Sequence, residues 1–203
     1  MPDVWQNGAL MALHDEALGE RMRAEFIIRP RQPEDLEALL PMAVRIKEVD
    51  NYPEALASTD PQELCAFLEA GSPYGAWVAV PSTARPEPGA LSPIAGHVVL
   101  STPRPGAVTD VIRRQTGLEP AAIGMVARLV VVPDWRGRGV GRALLRTATD
   151  EARRRGLLPA LDTLVSNVGA RSLYESEGWR ALGTARTQLA WGHELDQLVY
   201  SAP

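Results

Sequence analysis

The chain has 203 residues, 45% of them hydrophobic, and a formal net charge of −4, which favours one globular domain with a substantial core. No apolar run reaches the ~18 residues of a membrane-spanning helix, and no basic region followed by an apolar run marks a secretory signal. Cys65 is the only cysteine, which excludes an intrachain disulfide and favours a reducing, cytoplasmic location.

Residues 1–23 are predicted to be an N-terminal extension that the fold does not need. Trp5, Ala9, Leu13 and Ala17 have the spacing of a marginal amphipathic helix. Met22 lies just before residue 24, where the predicted domain begins, and would make a natural start. The folded domain is therefore expected to span residues 24–203.

Strand and helix patterns alternate through the first half of the domain. Residues 26–29 and 76–80 read as strands, and so do residues 94–101. Helices are predicted from Gln32 to about Val49 and over residues 61–69. Residues 81–93 are Pro- and Ala-rich and are expected to be a mobile loop, and residues 103–121 a second irregular connection with a short helix over 110–115.

A glycine-rich turn between a strand and a helix is the strongest local signal. The strand Leu129–Val132 ends at Pro133, and the apolar pattern of a helix begins at Val140. Backbone N–H groups at such a turn, together with the helix dipole, bind anions. The turn therefore predicts a phosphate site, formed by Arg136, Gly137, Arg138, Gly139, Val140, Gly141 and Arg142.

Two common phosphate motifs fail on this turn. A dinucleotide fingerprint needs Gly or Ala at its sixth position, where Arg142 or Leu144 stands here. The nucleotide-triphosphate loop needs a Lys, and the only Lys is Lys47. Residues 136–141 instead fit the Arg/Gln-x-x-Gly-x-Gly/Ala loop of the GCN5-related N-acetyltransferase (GNAT) superfamily, which the chain resembles. In that superfamily the loop holds the pyrophosphate of acetyl-CoA.

A second block, residues 165–179, is similar to the Asn-x-x-Ala-x-x-Leu-Tyr-x-x-x-Gly-Phe/Trp segment of the same superfamily. Asn167 is a good N-cap and Gly178 a good C-terminal residue for one short helix. Seven residues at 3.6 per turn place Asn167 and Tyr174 on one face. The resemblance implies that Asn167 contacts the pantetheine arm and that Tyr174 protonates the departing thiolate, although Tyr174 could instead simply pack in the core.

The resemblance covers about residues 24–203 and implies an α/β (α+β type) GNAT fold. We expect a mixed sheet of about seven strands flanked by about four helices, with closing strands at residues 160–165, 181–189 and 195–200. The cofactor-binding residues are then predicted to include the strand residues Val130, Val131 and Val132 beside the loop and Asn167. The amide N–H groups of Val130 and Val132 are expected to hold acetyl-CoA where the fourth and fifth strands splay apart.

The general base is the least certain assignment from sequence. Many relatives carry Glu on the strand before the loop, where this chain has Met125, Val126 and Ala127. In the peptide N-terminal branch a Glu lies five residues before the Asn, and Asp162 holds that place here. Asp162 stands among apolar residues, which favours a functional or a structurally bonded carboxylate. His97 is a lesser candidate.

Three other features bear on ligands and partners. Residues 128–155 carry eight Arg against three acidic residues, a local net charge of +5 that leaves −9 for the rest and suits an anionic cofactor. Trp135 is the only aromatic residue within residues 128–155, so no nucleic-acid partner is predicted. The three His show no metal-ligand spacing, and no metal is predicted. Asp50 and Tyr52 could form a lip for the substrate or a plain turn.

The sequence thus predicts an acetyl-CoA-dependent N-acetyltransferase that acts on a primary amine in a ternary complex. Two alternatives stay open: a non-catalytic acyl-CoA-binding module, and transfer of a different acyl group. The identity of the amine does not follow from the fold. A homodimer is one assembly that the resemblance allows.

Overall fold

The computed structural model describes residues 25–53, 59–69, 73–82, 92–189 and 192–203. The predicted extension (residues 1–23) and its helix, His14 and most of the predicted loop 81–93 lie outside the described residues. None of the described helices is long and apolar enough to cross a lipid bilayer.

Seven strands and five helices make up the described fold. The strands are β1 (Phe26–Pro30), β2 (Gly75–Pro81), β3 (Gly96–Ser101), β4 (Ile123–Val131), β5 (Leu158–Leu164), β6 (Arg180–Gln188) and β7 (Glu194–Ser201). The helices are α1 (Asp35–Asp50), α2 (Pro61–Glu69), α3 (Ala107–Thr116), α4 (Val140–Arg154) and α5 (Val168–Ser176). The mixed α/β class and the seven strands agree with the prediction.

The strands form one sheet in the order β1-β2-β3-β4-β5-β7-β6. Every neighbouring pair is antiparallel except β4 and β5, which are parallel over three residue pairs ending at Met125 and Ala160. One face of the sheet packs against α4 and α5 through residues such as Leu144 and Leu161. The opposite face packs against α1 and α2, and toward β6 against α3.

Helix α3 differs from the expected short helix over residues 110–115. It has ten residues and is bounded by two glycines, Gly106 and Gly117. Gly117 adopts a left-handed conformation, and its N–H donates to the Arg113 carbonyl at 2.8 Å. The apolar side chains Val111 and Ile112 are buried against β6 and β7, so packing on the sheet extends a helix whose sequence pattern is short.

Candidate active site

A cleft opens where β4 and β5 separate. After Met125 and Ala160 the two strands no longer pair, although β4 continues to Val131 and β5 to Leu164. The cleft has a volume of about 1120 Å³ and runs from the start of α4 past α5 to the segment between α1 and α2. The splayed strands are therefore the framework that brings distant polar residues to one site.

A β-bulge turns β4 away from β5 at this point. His97 pairs with Val130 and Val99 with Ala127, so Arg128 and Leu129 together face one residue of β3. Arg128 has φ +52, in the left-handed region that side chains other than glycine seldom adopt. Bulges and such strained residues are frequent beside active sites.

The glycine-rich loop leads into an uncapped helix. Gly137 (φ +72) and Gly139 (φ +84) adopt left-handed conformations, which explains glycine at both positions. Gly139 is the N-cap of α4 and has no side chain to bond the first turn. Among the described residues, the N–H groups of Val140, Gly141 and Arg142 have no acceptor, because the helix ladder starts with Ala143 donating to Gly139. These N–H groups at the cleft can therefore bind an anion.

The three arginines of the loop are already paired with acidic residues. Arg136 forms an ion pair with Asp50, and Arg142 lies 2.7 Å from Glu177. Arg138 lies 3.2 Å from Glu25, stacks on Trp135 and is not among the cleft residues. These acidic partners balance much of the positive charge of the three arginines. The hydrogen-bond donors of the loop that have no partner are therefore its backbone N–H groups.

The strand before the loop bears on the prediction about Val130 and Val132. The Val132 N–H donates to the Ala95 carbonyl at 3.0 Å, and Val132 does not line the cleft. Because N–H groups alternate in direction along a strand, the Val130 N–H also faces β3. Val131 presents its backbone to the cleft, where its carbonyl accepts from Arg136 Nε at 3.0 Å. The Val132 N–H is therefore already bonded within the sheet, and Val131 is the residue whose backbone faces the cleft. The contacts of this strand with the cofactor remain predictions.

Asn167 caps helix α5 as the sequence predicts. Its Oδ1 accepts a hydrogen bond from the Ala170 N–H at 3.1 Å. At the other end, Gly178 has φ +79, which suits the residue that follows the helix. Asn167 lines the cleft, and its side-chain NH₂ has no hydrogen-bond partner among the described residues. One side chain can thus hold the helix and offer a donor to a ligand.

Tyr174 is buried, with 6% of its surface exposed, and it lines the cleft. Its ring packs against Trp179 and Tyr200, with centroids 6.2 and 5.9 Å away. No described residue hydrogen-bonds its hydroxyl. Burial, followed by the charge of Asp162, raises the pKa of Tyr174 well above its usual value of about 10. The phenol therefore stays protonated at neutral pH and can donate a proton within the cleft.

Asp162 lies on β5 and also lines the cleft. Its Oδ2 accepts a hydrogen bond from the side-chain NH₂ of Gln197 on β7. The side-chain Oε1 of Gln197 in turn accepts a hydrogen bond from the Thr187 hydroxyl on β6 at 2.6 Å. Burial raises the pKa of Asp162, against the lowering effects of the Gln197 hydrogen bond and of Arg104. The carboxylate is consequently a stronger base than an exposed Asp, held in place by a chain of two hydrogen bonds.

The remaining candidates from the sequence differ in whether they line the cleft. Asp50 and Tyr52 line the cleft at the end of α1, as expected of a substrate lip. His97 is fully buried and does not line the cleft, and burial together with Arg31 and Arg128 lowers its pKa to about 3. Such an imidazole is a poor general base at neutral pH.

The sequence analysis did not identify Gln197, Thr187 and Arg104 as cleft residues. Gln197 reaches Asp162 through the antiparallel register of β5 and β7, in which Leu164 is opposite Gln197 and Asp162 opposite Val199. Residues 195–200 read Leu-Asp-Gln-Leu-Val-Tyr and do not alternate between polar and apolar, so no periodic signal marked Gln197 as a cleft residue.

Comparison with known proteins gives the same fold. The yncA acetyltransferase of Salmonella typhimurium, solved with acetyl-CoA, aligns with a TM-score of 0.60 and 18% identity over 87% of this chain and 92% of that one. The ribosomal-protein-alanine N-acetyltransferase of Brucella melitensis aligns with a TM-score of 0.56 and 22% identity, covering 86% and 98%. At these identities the likeness establishes the fold.

Sequence comparison extends this result. A [ribosomal protein bS18]-alanine N-acetyltransferase from Salmonella typhimurium is 37% identical over 78 residues, which are 37% of this chain. The match spans 52% of that relative's length. The profile of the acetyltransferase (GNAT) family matches residues 42–179, more than half of the chain, which contain the glycine-rich loop, Asp162, Asn167 and Tyr174. The chain belongs to the acetyltransferase (GNAT) family.

Proposed function

We propose that this protein transfers the acetyl group of acetyl-CoA to a primary amine by direct attack in a ternary complex. The observation that carries the proposal is the pairing of Asp162 with Tyr174 at the opening between β4 and β5. Asp162 is a half-buried carboxylate able to accept a proton, and Tyr174 is a buried phenol able to give one. Family membership supports acetyl-CoA as the donor, and so does the acetyl-CoA bound in yncA.

The chain offers a continuous set of donors for this cosubstrate. The free N–H groups of Val140, Gly141 and Arg142 suit the pyrophosphate. The Val131 N–H and the Asn167 side-chain NH₂ suit the amide groups of the pantetheine arm. When bound, acetyl-CoA supplies an activated acetyl thioester. The predicted roles of Arg136 and Arg142 at the cofactor remain proposals, to be reconciled with their acidic partners.

Two protons must move during the transfer, and Asp162 and Tyr174 each handle one of them. Asp162 takes a proton from the acceptor nitrogen, because burial makes its carboxylate more basic. Gln197 holds Asp162 in position for this step. Tyr174 delivers its hydroxyl proton to the leaving sulfur, and the Asp162 charge keeps that proton in place beforehand. No metal is assigned a role.

The experiment combines binding and turnover with a matched pair of variants. Calorimetric titration with acetyl-CoA, CoA and NAD is expected to show binding of both CoA species and none of NAD. Tyr174→Phe is expected to keep that affinity and lose about 100-fold or more in thiol release with an amine acceptor. Tyr200→Phe is the control, because Tyr200 is equally buried but bonds Glu175 and does not line the cleft.

The outcomes separate the alternatives. Binding of acetyl-CoA with no transfer to any amine, and no effect of Tyr174→Phe, would show a non-catalytic binding module. Faster transfer from propionyl-CoA or succinyl-CoA would replace the donor in the proposal. Cytoplasmic location and a homodimer remain predictions, testable by fractionation and by light scattering.

A further inference from the structure

Arg128 is a buried cation that the described protein does not neutralise. Only 5% of its surface is exposed, and it lines the cleft. Its guanidinium forms no ion pair or hydrogen bond with any described residue, and its Nε is buried without a partner. The guanidinium carbon lies 4.9 Å from the Phe67 ring centroid, which is a cation–π contact. A guanidinium stays charged in proteins, so burial without a counter-ion is costly.

The backbone holds Arg128 in this place at a further cost. Its φ of +52 falls at the bulge of β4. Glycine adopts this left-handed conformation without strain, whereas arginine does not. The bulge aims the side chain toward Phe67 of α2, beside the segment that carries Tyr52. This is the α1–α2 side of the cleft.

The surrounding charges increase the need for an anion. Arg104 also lines the cleft, and its charge together with that of Arg31 disfavours the cationic form of Arg128. The acidic residues that line the described cleft are engaged elsewhere. Asp50 is paired with Arg136, and Asp162 accepts from Gln197. The cleft therefore has an excess of positive charge at this end.

The phosphates of acetyl-CoA are poorly placed to supply the missing anion. On the proposed function, the pyrophosphate lies at the start of α4, and the uncharged pantetheine arm runs toward Asp162 and Tyr174. Arg128 is three residues before Val131 on β4, which is ~10 Å farther from the loop along the strand. The remaining molecule at this end of the cleft is the acceptor.

We propose that the acceptor amine carries its own oxyanion, which Arg128 binds and Arg104 attracts. A guanidinium can bind a carboxylate or a phosphonate with two parallel hydrogen bonds, and it would be neutralised on binding. The acceptor is thus an amine with a carboxylate or a related oxyanion close to the reacting nitrogen. This inference rests on the proposed transfer and names its substrate class.

The test uses acceptor pairs that differ in one charge. Alanine is compared with alaninamide, β-alanine with β-alaninamide, and 1-aminoethylphosphonate is added as a second oxyanion. The peptides Ala-Glu-amide and Ala-Gln-amide distinguish an oxyanion on a side chain from one on a small molecule. The full chain with saturating acetyl-CoA is expected to prefer the anionic member of at least one pair by about tenfold or more in kcat/KM.

Matched variants then assign the preference to Arg128. Arg128→Gln is expected to reduce the ratio of kcat/KM between the anionic and the neutral member to near unity, and Arg128→Lys is expected to retain part of that ratio. Thermal melting and acetyl-CoA affinity verify that both variants fold. An equal loss on both members of a pair would overturn the proposal, because it would mean that Arg128 supports the fold or the thioester.

Other outcomes separate this inference from the proposed function. Transfer to neutral amines with no preference for anionic ones overturns only the inference, whereas failure to bind acetyl-CoA overturns the proposed function. If no acceptor turns over, the Tm of the CoA complex is measured with N-acetylalanine and with its amide, and equal shifts overturn the inference. Glu54, outside the described residues, is tested as Glu54→Gln. A stronger anion preference in that variant would mean that the chain supplies its own counter-ion.

Discussion

Burial of Asp162 makes its carboxylate a stronger base and also lowers the stability of the folded protein. The folded protein raises the pKa of this carboxyl above its value in the unfolded chain. The folded state therefore binds the proton more tightly, and the free energy of unfolding falls as pH rises from the unfolded pKa to the folded one. Above the folded pKa the cost is complete, so the ionised Asp162 destabilises the protein. A residue that is costly in this way is typical of a functional site.

Gln197 limits this pKa rise, which makes it the residue to vary. In Gln197→Leu the hydrogen bond that lowers the pKa of Asp162 is lost, so the pKa should rise further. The acidic limb of the kcat/KM profile, where the base becomes protonated, is expected to move to higher pH. Thr187→Val removes the hydroxyl that orients Gln197 and should shift the limb less, in the same direction. A limb that stays in place in both variants would exclude Asp162 as the base.

Among the elements, the start of α4 contains two glycines, Gly139 and Gly141, whose positions place different structural demands on the residue. Gly139 has φ +84, and an added Cβ would meet no atom within 4 Å, so backbone conformation alone requires it. Gly141 lies within the helix, where a Cβ would make an ordinary contact with Leu173 at 3.4 Å. The two positions therefore form a matched pair.

Substitution by alanine should separate these roles. Gly139→Ala is expected to cost about 1–2 kcal/mol of stability, because the left-handed conformation is unfavourable with a Cβ. It should also weaken acetyl-CoA binding about tenfold, since the free N–H groups of the first turn would shift. Gly141→Ala should leave affinity within about threefold and Tm unchanged or higher, because alanine favours helix. Calorimetry and thermal melting measure both, and equal affinities in the two variants would contradict a phosphate site at this helix.

The limits of most elements followed from local signals in the sequence. Helix α5 begins after Asn167 and is followed by Gly178, and both residues act as their types predict. Helix α3 is longer than the helix that its sequence pattern predicts. Burial of Val111 and Ile112 on the sheet stabilises helical turns that local propensity alone does not favour. The β4 strand ends at Val131, one residue earlier than expected, where Val132 donates to Ala95 as the chain leaves the sheet.

Across the whole molecule, what the sequence could not show are the pairings made by the sheet. Asp162 and Tyr174 were predicted from the resemblance to the GNAT superfamily, and both line the cleft. The hydrogen bond from Gln197 depends on the register of β5 against β7, 35 residues apart in sequence. The acidic partners of Arg136 and Arg138 likewise come from 86 and 113 residues away. Local motifs therefore located the chemistry, and tertiary pairing determines its charge balance.

The described fold also bears on the N-terminal extension. All seven strands and the three apolar clusters of the described chain are drawn from Phe26 onward, and the sheet is complete from β1 to β6. Glu25, which pairs with Arg138, lies beyond Met22 and would be kept in a shortened chain.

A chain that begins at Met22 is therefore expected to fold and to bind acetyl-CoA like the full chain. Its Tm should lie within about 2 °C of the full-length value, because the shortened chain keeps every strand, helix and apolar cluster of the described structure. Glu25→Gln in the shortened chain is a useful comparison, since that exposed pair with Arg138 should contribute at most ~1 kcal/mol. A fall of 5 °C or more, or a tenfold loss of acetyl-CoA affinity, would show that the first 21 residues belong to the working enzyme.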